Sequence, residues 1–361
     1  MTADNRSLLG ASLLNAAGSM PLHLSPLIVA VLMADGVDTI LAGGSRAVVL
    51  IGQLITAIGL PLFNSLRLNR RHSLAGAAMM IVGLGISVDW LLAGWFIVGM
   101  GCGVLTYLAV LTAAVHSRPN YAFNVRLGVT MFMAGAAATV FNLMPLTTYS
   151  ILTVVLVALL VMLLTVGVSL QLPLDIPAPK RTTKSESGFA WLTLGFVFLL
   201  AAGQSGVLAY SLQQANHRGM TLMEVLWALV IIKLVSGVGL LLLRKHKISV
   251  VLLGGLLAVA DLTVDNALSV VPFVAGLLVL DITFNLLTSK VQALAAGIAP
   301  VLVGKWTQTL ILIGSASGTM VAAQAIESNL PFVYAAILSA LLPMLLINKF
   351  VRVDGEGGKL A

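Results

Sequence analysis

Four ionisable side chains stand where ionisable side chains are expensive. His23, Arg46, Lys233 and Asp281 each interrupt a long apolar stretch. An ionised group in hydrocarbon costs about 2.5 kcal/mol or more, so each needs a partner, water or a function. Asp281 lies in Leu278-Val279-Leu280-Asp281-Ile282-Thr283-Phe284-Asn285. A carboxylate held between desolvation and a nearby cation can take up and release a proton, which makes Asp281 the candidate for proton coupling. Asn285 is four residues on and shares its helical face. Arg46 stays charged and requires an anionic or carbonyl partner. For Arg46 and Lys233 the bland alternative is a salt bridge, to Asp281 or Asp38. His23 stands between Pro21 and Pro26, which free backbone carbonyls and can kink or break a helix. An imidazole there can bind a ligand or pass a proton; the alternative is a neutral histidine hydrogen-bonded among helices. Tyr107, Gln204, Ser205 and Tyr210 are neutral polar groups in apolar runs and can line a cavity. Gln53 and Gln308 are weaker candidates, since lone polar residues of this kind more often bond between helices. This inventory holds more cationic or proton-accepting groups than carboxylates, which points to an anionic or zwitterionic small organic ligand. The substrate-binding candidates are therefore His23, Arg46, Tyr107, Gln204, Tyr210, Lys233 and Asn285.

The elements that must position these groups are read from composition and pattern. Charged residues are 9% of the 361, and apolar residues 59%. A soluble domain carries about 25% charge, so lipid must be the solvent for most of this chain. Thirty-four glycines suit helices that approach closely. About twelve stretches are long and apolar enough to span a bilayer: 9–33, 39–63, 74–90, 92–115, 122–145, 149–171, 190–213, 221–243, 248–264, 268–289, 301–326 and 331–350. They lack the alternation of a membrane barrel, so the fold class is an all-α integral membrane protein.

Lysines and arginines gather at every second junction. Arg67, Arg70 and Arg71 come first, then Arg118 and Arg126, then Lys180, Arg181 and Lys184, then Arg244, Lys245 and Lys247, then Lys290 and Lys305. Between the other spans Arg218 stands alone among acidic residues. By the positive-inside rule both termini are cytoplasmic and the site is the cytoplasmic (inner) membrane. The net charge of +7 is then a topology signal, which removes a nucleic-acid partner. No cleavable signal peptide is evident. The single cysteine, Cys102, excludes an intrachain disulfide.

The first half recurs in the second. Leu14-Asn15-Ala16-Ala17-Gly18-Ser19 is answered by Leu199-Leu200-Ala201-Ala202-Gly203-Gln204, and at the same offset Gly52 falls on Gly237. That offset sets Lys233 on Val48, two residues from Arg46, so the two cations occupy similar depths. A weaker echo sets Gly99 against Gly276. The polar, proline-bearing stretch 172–188 separates six spans from six. The expected organisation is 1–171 as a first six-helix bundle, 172–188 as a cytoplasmic linker, and 189–361 as a second bundle with a short tail. Such repeats are the usual build of secondary transporters.

In this organisation the chain resembles the major facilitator superfamily over nearly its whole length. The loop after the second span reads Leu62-Phe63-Asn64-Ser65-Leu66-Arg67-Leu68-Asn69-Arg70-Arg71. It is similar to the family's Gly-x-Leu-x-Asp-Arg-x-Gly-Arg-Arg. The three arginines match, and the resemblance gives Arg67, Arg70 and Arg71 a gating role. The aspartate has become Leu66, which removes a charge partner of the usual cytoplasmic latch. Trp95-Phe96-Ile97-Val98-Gly99-Met100-Gly101 resembles the family's Arg-x-x-x-Gly-x-Gly with Trp95 for the arginine. The fifth span has Gly128 and Gly135 without the Gly-Pro of many drug antiporters. The resemblance implies two pseudo-twofold-related bundles, alternating access, and a cavity lined by the first, fourth, seventh and tenth helices. His23, Tyr107, Gln204 and Asp281 fall on that set.

The expectation is a monomeric secondary active transporter of a small organic solute, coupled to a proton rather than sodium. Alternatives are a transporter-like sensor or assembly scaffold, or a drug or copper transporter using Met100, Cys102 and His23. No nucleotide-binding loop, HExxH or catalytic cluster is visible, so neither enzyme activity nor a cofactor is expected.

Overall fold

The computed structural model describes residues 3–24, 36–62, 70–143, 184–244, 248–327 and 333–342, with single positions at 28, 32, 167 and 246. The described residues form helices in the order α1 (Ala3–His23), α2 (Thr39–Leu62), α3 (Arg70–Ile86), α4 (Leu91–Val115) and α5 (Pro119–Asn142). Then follow α6 (Lys184–His217), α7 (Leu222–Leu243), α8 (Val250–Asn266), α9 (Val270–Ile298), α10 (Pro300–Glu327) and the shorter α11 (Val333–Leu342). Each lies on one of the twelve expected spans; the expected span 149–171 lies outside the described residues, apart from residue 167. Six of these helices are long and apolar enough to cross a membrane. α3 and α8 have 17 residues each, at the short end of what a bilayer requires.

The polarity is that of a protein in lipid. Val82, Leu242, Val259 and Met320 are exposed on the outside, while Asn15, Arg126, Asp261, Asp281 and Gln292 are buried inside. A water-soluble protein sorts these types the other way. The helices close their own backbone hydrogen bonds, which lets them sit in hydrocarbon.

Glycines set the closest approaches. Gly52 of α2 lies against the backbone of Phe96 and Met100 in α4, and Gly99 of α4 lies against Val49 of α2. Gly237 of α7 instead lies on Phe132 of α5, and Gly128 and Gly135 of α5 face Leu241 and Leu234 of α7. Gly52 and Gly237 thus differ in partner: the first joins helices within the N-terminal group, the second joins that group to the C-terminal one. Gly99→Val should split the α2–α4 crossing, because a Cβ there overlaps the Val49 carbonyl. Overpacking of this kind costs about 1–3 kcal/mol, and a melting point equal to wild type would contradict the assignment.

The N-terminal helices α1–α5 meet the C-terminal helices along α5–α7, α2–α10, α4–α10 and α5–α9. At the end of the bundle marked by the α4–α5 turn, one apolar cluster draws on both groups: Leu8 (α1), Val110 (α4), Phe123 (α5), Leu194 (α6), Ala295 (α9) and Val303 (α10), all essentially buried. At the opposite end Arg218, the exceptional cation of the topology pattern, has a local task. Its guanidinium donates to the carbonyls of Val264 (3.0 Å), Asp265 (3.0 Å) and Ala267 (2.7 Å), which closes the C-terminus of α8.

Three junction assignments are corrected. Arg126 lies inside α5, 3% exposed, Lys290 inside α9 and Lys305 inside α10. Arg126 and Lys305 already fell within the expected spans 122–145 and 301–326, and Lys290 is taken in because α9 runs on to Ile298.

Candidate functional site

A cavity of about 270 Å³ lies between the N-terminal and C-terminal helices. Its walls come from α1, α2, α5, α6, α7, α9 and α10. Helical periodicity builds them. On α9 the lining residues are Asp281, Phe284, Asn285, Thr288 and Gln292, and on α10 Gln308, Ile311, Leu312, Ser315 and Thr319. Both follow steps of three and four, a single stripe turned inward. Asn15, Ser19, Leu22 and His23 repeat the pattern on α1.

Charge sits at two places along the cavity. At one, Lys233 Nζ donates to Asp281 Oδ1 at 2.7 Å. The Asp281 side chain is 2% exposed and that of Lys233 14%, so the ammonium reaches the cavity and the carboxylate is enclosed. Asp281 Oδ2 has no hydrogen-bond partner among the described residues. His23 and Arg46 line the same space, and Lys233, Asp281 and Arg46 all act electrostatically on His23. Arg46 is half-buried and makes no hydrogen bond or ion pair with a described residue.

At the other place is Arg126. Its Nη1 donates to Asn15 Oδ1 at 2.9 Å and its Nη2 to Gln292 Oε1 at 3.1 Å. It also stands 5.4 Å from the Phe123 ring centre. No carboxylate pairs with it among the described residues. From Asn15 to His23 is about 12 Å along α1, and from Asp281 to Gln292 about 16 Å along α9, at 1.5 Å per residue. The two charged places are therefore at different depths.

Chains with this arrangement of helices are known. The human organic anion transporter MFSD10 superposes with a TM-score of 0.70 at 16% identity, over 95% of this chain and 97% of that one. The Escherichia coli fucose:proton symporter FucP gives 0.67 at 16%, over 97% and 98%. The proton:xylose symporter XylE gives 0.67 at 11%, over 97% and 95%. The chain has the major facilitator fold. No protein-family model and no curated protein sequence matches it. At such identities the likeness is one of fold.

Within this major facilitator fold, seven of the sequence candidates meet in the cavity: His23, Arg46, Ser205, Lys233, Asp281, Asn285 and Gln308. Tyr107 and Gln204 do not line it. Tyr107 is buried in α4, and Gln204 Nε2 donates to Asp261 Oδ2 at 3.0 Å. The fourth span contributes no lining residue, whereas the second, fifth, eighth and eleventh do. The side chain of Tyr210 and residue Arg67 lie outside what is described; Arg70 and Arg71 are exposed at the start of α3. Gln53 donates to the Gly18 carbonyl at 2.9 Å, an interhelical bond, while Gln308 faces the cavity. Cys102 is buried away from the cavity.

Asp281 is not the only carboxylate deep in a helix. Asp261 of α8 is fully buried, and its place four residues from the charged turn at Asp265 hid it in the sequence. Arg126 was missed because it was counted with Arg118 as a junction cation. The flanking Phe123, Val125, Leu127 and Val129, with Thr130 one turn on, carried the signal that it lies within a helix.

Proposed function

We propose that this chain is a secondary active transporter that moves a small organic anion or zwitterion by alternating access, driven by protons through Asp281. The carrying observation is the cavity between the two groups of helices, whose wall holds Arg46, Arg126 and Lys233 against one carboxylate, Asp281. A cavity with surplus cationic groups favours a negatively charged occupant. The fold relatives described as an organic anion transporter and proton symporters support the same reading. The moving parts are the bundles 1–171 and 189–361, joined by the cytoplasmic linker 172–188, working as a monomer in the inner membrane. Arg67, Arg70 and Arg71 act at the cytoplasmic gate. The apolar cluster around Phe123 and Val303 lies at that end, which supports a closed cytoplasmic side.

The test is accumulation of labelled organic acids by purified protein in vesicles under an imposed pH gradient. Uptake that collapses with a protonophore is expected. Absence of uptake for every acid, alongside ligand-induced thermal stabilisation, would turn the reading to a sensor.

A further inference from the structure

We propose that Arg126 is the acid-binding residue of the cavity, and that its ligand is an organic carboxylate with an apolar body. This deepens the transport reading and rests on it for its biological sense.

The chemistry comes from what Arg126 lacks. It is 3% exposed, a guanidinium stays charged, and its polar partners among the described residues are two neutral amides. A buried charge without a counter-charge is unfavourable. Its Nε has no hydrogen-bond partner among the described residues. Neither has Nε2 of Gln292, nor the hydroxyl of Thr288 one turn before it on α9. All three side chains line the cavity, and each orphaned atom can donate a proton. A cluster of unused donors beside a guanidinium fits an anion, and a planar carboxylate fits the fork of Nε and Nη2.

The two amides differ in how firmly they are held. Asn15 Nδ2 donates to Thr130 Oγ1 at 2.7 Å, and that hydroxyl donates to the Arg126 carbonyl at 2.8 Å. Asn15 is thereby fixed from both ends. Among the described residues the Gln292 side chain has a single hydrogen bond, the one from Arg126 Nη2. An incoming carboxylate takes Nε and Nη2, and the Gln292 amide turns to donate its Nε2 to the same group. The acid then bridges α5 and α9, one helix from each side of the cavity. Beyond Arg126 the cavity wall mixes polar groups, among them Thr130, Ser205 and Asn285, with the apolar side chains of Leu127, Met131, Leu208, Leu229 and Phe284. These apolar side chains receive the body of the ligand.

The experiment measures thermal stabilisation of the purified full-length chain by matched acids and amides: benzoate and benzamide, 4-phenylbutyrate and 4-phenylbutanamide, 1-naphthoate and 1-naphthamide. Ligands that bind only the folded state raise its melting point. At least one acid should bind about tenfold more tightly than its amide. Arg126→Gln should erase that preference. Arg126→Lys keeps the charge without the fork and should weaken the acid while sparing the amide, which keeps the test available if the glutamine variant does not fold. A wild-type chain in which no acid exceeds its amide overturns the proposal, as does an acid preference unchanged in either variant. Binding is read without flux. An Arg126-dependent acid preference with no transport would leave this inference standing and remove the transport reading. Transport with an acid preference indifferent to Arg126 would do the reverse.

Discussion

Asp281→Asn is expected to abolish accumulation driven by a pH gradient while substrate exchange stays measurable. In the structure Asp281 is enclosed, accepts from Lys233 at 2.7 Å through one oxygen and leaves the other without a partner among the described residues. Protonation would remove the cost of burying that charge and weaken the bond to Lys233, so loading and unloading the proton can shift the balance between two conformations. Asparagine keeps the shape and cannot cycle. Exchange needs no net proton release, so it survives. Removing one member of a buried pair often costs about 3–5 kcal/mol. Here the loss should be smaller, because the Lys233 side chain reaches the cavity and can be hydrated there. The double variant Asp281→Asn with Lys233→Gln should recover the melting point and still fail to accumulate. Intact pH-driven accumulation in the single variant would remove Asp281 as the coupling residue. Loss of both activities in a folded protein would make it a substrate ligand instead.

Arg46→Ala is expected to cut transport far more than stability. Arg46 holds no hydrogen bond or ion pair with a described residue, so its removal breaks no bond described within the fold. It also faces the cavity beside His23. If its guanidinium meets the substrate, each lost charge-assisted hydrogen bond is worth about 1.5–3 kcal/mol, a roughly 10- to 150-fold loss of affinity. Flux against concentration, beside a melting curve of the same preparation, separates the outcomes. Normal flux would dismiss Arg46 from the site, and a large fall in melting point would make it structural.

The placement of the described helices was legible because long apolar runs obey the bilayer. The gathering of His23, Arg46, Lys233 and Asp281 was legible because each is expensive where it stands, and expense marks position without knowledge of contacts. Direction around a helix was less accessible. Tyr107 and Gln204 lie on expected helices and face other neighbours, since an apolar helix such as α4 is buried nearly all round and its pattern marks no cavity side. Arg126 and Asp261 were lost for another reason. Each stands within about two turns of a charged helix end, where one sequence cannot separate a loop from the first buried turns. The repeat located Gly52 and Gly237 but said nothing of their partners, which depend on how the two groups of helices meet.

At the end of the bundle that joins Leu8, Val110, Phe123, Leu194, Ala295 and Val303, the packing is apolar, with the rings of Tyr121 and Trp306 laid against it. An ionic latch loosens in salt, whereas contacts of this kind are nearly indifferent to it. They respond to cold. Parting them wets apolar surface, a step with a positive heat-capacity change, and the force that keeps such surfaces together weakens on cooling. In the transport cycle proposed above, the balance between closed and open forms at this end should then respond to temperature through this cluster. Cooling should raise the open fraction, and a spin-label pair across α4 and α10 would register it as a widening distance distribution that added salt does not reproduce.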